Sequence, residues 1–323
     1  MCCVIQKAMV LRIIASVTTR PPPYHKHLNE NLKTLVGAFD AVYLGLPHTT
    51  WDGIKYTTPD NLPEGVSLVW LKEDLGPARK IMGGLAHAQE ADMVVTFDDD
   101  WLYNGEAIRR AFERVRRHDL ERGLTRVYSF SGTYIRLWAP KWVPWRFCLD
   151  GGWHDRRGIA DYRNLKPLTT ISGYGGVAYP SGLLLGDDIV GYIRACVSED
   201  KGGLLWKNDD IVLSSFVAKH GVQRVLLPSL NVGEGNKEKS EPSLSPQIVD
   251  LLAAARHPSI RHHLLAGQPK PARLVLADVV VVAAFFVLLI FWALKANKNA
   301  LTLPMLCLIV VIAGICTGYS KRS

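Results

Sequence analysis

The stretch "MVVTFDDDWLYNG", Met93 to Gly105, decides the fold: a run of strand-forming residues leads straight into three consecutive carboxylates. Aspartates side by side repel one another, and two settings relieve them: a solvated turn that screens the charge, or a cation that neutralises it. If the strand conformation persists, Asp98 and Asp100 face one side and Asp99 the other. Two carboxylates on one side of a strand end suit a hard divalent cation, held directly or through water.

Outward from that stretch, short apolar segments alternate with polar, helix-like ones from Met9 to about Leu227, the pattern of an α/β domain. Strands are expected over Met9–Val17, Ala41–Pro47, Val66–Leu71 and Asp92–Phe97, with helices over Leu28–Phe39, Gly76–Gln89 and Gly105–His118. A strand region follows over Thr125–Leu137, then an irregular, Gly-rich and aromatic segment, Trp138–Tyr179, carrying Trp138, Trp142, Trp145 and Trp153 and suited to a binding loop. A helix over Asp188–Val197, another over Asn208–Gly221 and a last strand over "VQRVLLP" close the domain. The triple aspartate thus falls at a strand's carboxyl end, where open α/β sheets collect their ligands.

The rest of the chain reads differently. Residues 229–273 are polar and Pro-containing, a juxtamembrane linker. Leu274–Leu294 is apolar and long enough to span a bilayer, and a second apolar run, Ala300–Thr317, follows a short connection, so 274–318 reads as a transmembrane helical hairpin. Four basic residues flank its outer ends (Lys270, Arg273, Lys321, Arg322) against two in the connection (Lys295, Lys298), which favours a cytosolic placement for residues 1–228. Without a long apolar core, the N-terminus does not read as a signal peptide. Cys2 and Cys3 read as unmodified thiols, with acylation the alternative. No CxxC pair points to zinc or a disulfide framework. The net charge of +8 is scattered and carries no nucleic-acid signature, so it favours anionic lipid or an anionic ligand such as a nucleotide diphosphate.

From roughly Val10 to Leu227 the chain resembles the GT-A-type nucleotide-sugar glycosyltransferases, family-2-like ones in particular. The matching pieces are "ASVTTRP", "EDLGPARK", "FDDDW", "GYGGVAYP" and "NDDIVLSSFVAKHG", and they stand in the order such enzymes use. The resemblance implies a GT-A-type, Rossmann-like mixed sheet flanked by helices, and a membrane-anchored, metal-dependent transferase. Such an enzyme moves a sugar from a UDP- or GDP-sugar to a glycan, protein or lipid acceptor.

It also implies roles. Thr18, Thr19 and Arg20 touch the nucleoside. Asp74 accepts from base or ribose, with helix capping as the alternative. The amides at Gly76 to Ala78 attract phosphate, aided by Arg79 or Lys80. Asp98 and Asp100 resemble the DXD element that binds Mn²⁺ or Mg²⁺, with Asp99 near the ribose. Asp210, or alternatively Asp209, deprotonates the acceptor hydroxyl in an inverting reaction. Two acids at a helix N-terminus are also what the helix dipole favours. Gly173, Gly175 and Gly176 let backbone approach the sugar, with Tyr174 or a tryptophan stacking on the acceptor, and His154 and Asp155 line its entrance. A retaining transferase, a non-catalytic nucleotide-sugar-binding protein and a nucleotidyltransferase are the rivals, the last disfavoured by "TTRPPPY" where a Gly-rich basic loop is usual.

Overall fold

The computed structural model describes residues 11–135, 149–150, 166–173, 175–198, 203–227, 233–235, 260 and 262–264. Its strands are β1 (Ile13–Val17), β2 (Ala41–Pro47), β3 (Val66–Leu71), β4 (Met93–Phe97), β5 (Trp101–Tyr103), β6 (Arg126–Ser129) and β7 (Gly132–Ile135). They continue as β8 (Leu149–Asp150), β9 (Lys166–Pro167), β10 (Thr170–Ile171), β11 (Val177–Pro180), β12 (Gln223–Leu226) and β13 (Gly233–Gly235). The helices are α1 (Leu28–Leu35), α2 (Met82–Leu85), α3 (Gly105–Leu120), α4 (Ser181–Leu185), α5 (Ile189–Ser198), α6 (Leu204–Lys207) and α7 (Asp209–Lys219).

Eight strands form one sheet in the order β3-β2-β1-β4-β11-β6-β12-β9. β1, β2, β3 and β4 run parallel, β11 is inserted antiparallel between β4 and β6, and β12 returns parallel to β6. The expected mixed α/β sheet is therefore present.

Alternation along β4 sends Val94 to one face and Met93, Val95 and Phe97 to the other. Val94 joins Ile193, Phe216 and Val217 from α5 and α7, while Phe97 and its neighbours pack with Leu32, Leu35, Ile108 and Phe112 from α1 and α3. Helices thus cover both faces, which is why β1 and β4 are fully buried and apolar except for Ser16 and Thr96. α3 begins where Asn104 Oδ1 accepts from the Ala107 amide at 3.2 Å, an N-cap that ends the acidic turn.

Several elements differ from expectation for local reasons. The single helix expected over Gly76–Gln89 is a 3-10 turn, Gly76–Ile81, followed by the one-turn α2. Pro77 supplies no amide, and Ser16 Oγ from β1 engages this segment at both ends, donating to Lys80 O at 2.5 Å and accepting from Gly84 N at 2.7 Å. The strand expected over Thr125–Leu137 is two strands, β6 and β7. Strand conformation stops at Phe97, and Asp99 and Asp100 lie in a turn. Strand alternation therefore does not extend over the triplet, although Asp98 and Asp99 still take different partners, Lys80 and Thr19.

One compact unit runs to Gln268, beyond the boundary expected at 228. β13 pairs with β5, and Ile260 and Leu264 are buried in the core. Among the described residues no helix is long and apolar enough to cross a membrane, and the hairpin expected over 274–318 lies outside them, as do Trp138, Trp142, Trp145, Trp153, His154, Asp155 and Tyr174.

Candidate active site

A cavity of about 450 Å³ opens at the carboxyl ends of the parallel strands, the place the α/β plan assigns to ligands. Thr18 to Pro21 line it after β1, Thr50 to Asp52, Ile54 and Tyr56 after β2, Asp74, Gly76, Pro77, Arg79 and Lys80 after β3, and Asp98 and Asp99 after β4. Trp206 and Asp209 close the far wall.

Arg79 holds three of these loops together. It is 6 % exposed, yet every nitrogen of its guanidinium is used. Nε donates to Thr18 Oγ1 at 2.9 Å, Nη2 to Thr19 O at 2.8 Å and Tyr56 Oη at 2.5 Å, and Nη1 pairs with Asp74. A planar fork that meets several acceptors at once is what arginine supplies and lysine does not.

Asp74, expected as an open acceptor for base or ribose, is engaged within the protein. Oδ1 accepts from Gly76 N at 3.0 Å and from Arg79, and Oδ2 accepts from Trp51 N at 3.1 Å. The phosphate role expected of the amides at Gly76 to Ala78 is reduced for the same reason: the Gly76 amide is taken by Asp74 and Pro77 has none. Gly76 sits at φ +64°, and a Cβ there would lie 3.0 Å from the Trp206 ring, so the tryptophan packs directly on the backbone.

The three aspartates are divided rather than pooled. Asp98 Oδ1 accepts from Lys80 Nζ at 2.8 Å, and Asp99 accepts from Thr19 Oγ1. The turn itself is anchored from below. Asn31 of α1 donates to Asp98 O at 2.7 Å, and the Tyr103 hydroxyl accepts from Asp98 N at 3.0 Å. Burial raises the Asp99 carboxyl, with Thr19 opposing and the Asp100 charge adding to the rise.

Lys80 is 4 % exposed and joins the two acidic clusters: beyond Asp98, its ammonium lies 2.6 Å from Asp209 Oδ2 and 3.8 Å from Asp210 Oδ1. Burial works against its charge, but the three carboxylates outweigh that cost and hold its pKa well above the ordinary lysine range. Gly173 roofs this cluster. A Cβ there would stand 2.7 Å from Lys80 Nζ and 3.0 Å from both Asp98 oxygens, and its amide donates to Asp210 Oδ1 at 3.0 Å. Burial, followed by the Asp209 charge, pushes the Asp210 carboxyl up to about 7, with Lys80 opposing.

Of the residues singled out in the sequence, Thr18, Thr19, Arg20, Asp74, Gly76, Lys80, Asp98, Asp99 and Asp209 line one cavity. Asp210 adjoins it through Lys80 and Gly173. Trp51, Tyr56 and Trp206 were not anticipated, although Trp51 lies in the loop after a strand's carboxyl end, as Thr18, Asp74 and Asp98 do.

Three carboxylates, Asp98, Asp209 and Asp210, lie within 4 Å of the single ammonium of Lys80, while Arg79 is already paired with Asp74. That surplus of negative charge fits a divalent cation, whose remaining ligands an incoming phosphate would supply. Among the described residues no group of three or more His, Cys, Asp or Glu side chains is arranged to hold a metal by itself.

Neither a family model nor a curated protein sequence matches the chain. Solved structures that it resembles include S. aureus TarS 1–349, at 14 % identity and a TM-score of 0.42, covering 75 % of this chain and 64 % of that one. S. aureus TarS follows at 12 % and 0.40, covering 76 % and 39 %, and mannose-6-phosphate isomerase from Helicobacter pylori at 12 % and 0.32, covering 68 % and 87 %. The chain thus spans less than two thirds of either TarS chain's length. With scores this low, the likenesses fix neither its fold nor its activity.

Proposed function

We propose that the chain is a glycosyltransferase that moves a sugar from a UDP- or GDP-sugar to a hydroxyl of a glycan, protein or lipid, with inversion at the anomeric carbon. One observation carries the reading: the acidic turn after β4 and the acidic start of α7 meet across Lys80, beside a cavity at the carboxyl ends of the parallel strands. The cavity's size suits a small ligand.

In this reading Asp210 is the general base. A carboxylate tuned to about 7 takes a proton efficiently at neutral pH, and the Gly173 amide fixes its orientation. The acceptor oxygen forms its bond to the anomeric carbon as the acceptor proton passes to Asp210. The bond from that carbon to the phosphate oxygen breaks, and its electron pair leaves with the nucleoside diphosphate. Asp209, paired to Lys80, is the alternate base.

Asp98 and Asp100 would hold Mn²⁺ or Mg²⁺, which when bound offsets charge on the diphosphate. Lys80 adds a fixed positive charge at the same wall, and Thr18, Thr19 and Arg20 border the nucleoside. The apolar hairpin over 274–318 would attach the enzyme to a membrane with the catalytic domain on the cytosolic side and bring it near lipid-linked acceptors.

The test is a screen of UDP- and GDP-sugars with Mn²⁺ or Mg²⁺, following release of nucleoside diphosphate. Turnover is expected for at least one donor, with Asp210→Asn lowering kcat by roughly 10²- to 10⁴-fold. Binding without turnover would favour a nucleotide-sugar-binding protein instead, and a retained anomeric configuration would favour the retaining transferase.

A further inference from the structure

We propose that Trp51 is the platform on which the donor's nucleobase stacks, an inference that rests on the nucleotide-sugar reading of this cavity. Trp51 is 50 % exposed, an unusual setting for an indole, and it stands on the cavity wall. Its position is fixed. The backbone amide donates to Asp74 Oδ2, and the ring meets Trp206 edge to face, with centroids 5.9 Å apart and planes at 71°. The loop that carries it is closed by paired hydrogen bonds between Thr50 and Ile54, both 2.8 Å. A planar side chain that is held in place and half open to a cavity loses little freedom when a flat ring covers it.

The rest of that wall leaves the task to Trp51. Thr18, Thr19, Tyr56, Asp74 and Arg79 use their polar groups within the protein, Thr18 Oγ1 donating to Gly45 O, Thr19 Oγ1 to Asp99, and Tyr56, Asp74 and Arg79 bonding within the set, so they shape the cavity more than they read a ligand's edge. A ring face remains, and every nucleobase has a face to offer, so stacking gives affinity with little choice among bases. The same cavity carries Lys80 and Asp98 on its acidic wall, so one ligand with a flat ring and a diphosphate addresses both walls.

Calorimetric titration of the full chain with UDP, GDP and inorganic pyrophosphate at fixed Mn²⁺ tests this. Trp51→Ala is expected to weaken both nucleotides by roughly tenfold or more while leaving pyrophosphate unchanged, and Trp51→Phe to stay within about threefold of the parent. If the parent binds nucleotides and Trp51→Ala binds them equally well, the stacking role is wrong and the glycosyltransferase reading stands. A parallel loss of pyrophosphate binding would locate the damage in the phosphate wall or the fold and also overturn the role. If the parent binds no nucleotide, both this inference and the reading beneath it fall.

Discussion

The Lys80 ammonium stands 2.6 Å from Asp209 and 2.8 Å from Asp98, so one buried cation ties the turn after β4 to the start of α7. Replacing it by methionine keeps an unbranched side chain one atom shorter, removes the charge and strands the carboxylates. A fully buried pair would lose more, but Asp98 is 40 % exposed, so a loss of about 2 kcal/mol in urea unfolding is expected. Because the Lys80 pKa is raised on folding, its contribution is complete below the unfolded lysine range and disappears as pH climbs through the folded value. The gap between parent and Lys80→Met should therefore still be open at about pH 9 and close only above about pH 10.5.

Asp210 gives the opposite dependence. Its folded pKa of about 7 lies above the ordinary carboxyl range, so the folded chain holds a proton that the unfolded chain releases. Stability attributable to this group falls as pH rises from about 4 to 7 and then levels. Asp210→Asn, whose amide oxygen can still accept from Gly173, should match the parent near pH 4. It should melt ~3 °C higher at pH 8 by scanning calorimetry, while losing transferase activity.

Arg79→Lys tests whether the cavity's shape depends on a forked side chain. Lysine keeps the charge but cannot reach Thr18, Thr19, Tyr56 and Asp74 together, so buried acceptors are left unpaired. A loss of about 2–3 kcal/mol is expected. Nucleotide affinity, read by calorimetry, should fall even at temperatures where the variant is fully folded.

Gly173→Ala should fold yet function poorly. The added methyl meets the Lys80 ammonium at 2.7 Å and both Asp98 oxygens at 3.0 Å, so Lys80 must shift. Since the amide hydrogen bond to Asp210 survives the substitution, the expected signature is a kcat fall of ~10-fold with the melting temperature within a few degrees of the parent.

Much of the frame was legible because β1 to β4 carry period and punctuation in the sequence itself: apolar runs bounded by Pro, Gly and Asp. β9, β10 and β13 were not, since two or three residues hold no period and are strands only because a partner strand lies alongside. Within the site, the strand-end position pointed to Asp98, and the glycosyltransferase resemblance pointed to Thr18, Thr19, Lys80 and Asp209. What each does was less legible. Asp74 reads equally as ligand or cap until Gly76, Arg79 and Trp51 are seen to fill it, and the separate partners of Asp98 and Asp99, Lys80 and Thr19, lie 18 and 80 residues away in the chain, beyond any local pattern. Trp51 was overlooked because an isolated tryptophan in a polar loop gives no pattern, and only the cavity gives it meaning.

The dispersion of these contacts along the chain bears on how the protein reaches its working state. Thr19 and Asp99 are 80 residues apart, Arg79 and Thr18 are 61 apart, and Gly173 and Asp210 are 37 apart. Contacts that distant form late, because chain ends must be brought together before any of them stabilises the product. The hairpins and helices should therefore recover first on dilution from urea, and competence to take up nucleotide should trail behind, making ligand uptake a clock for the last step of folding.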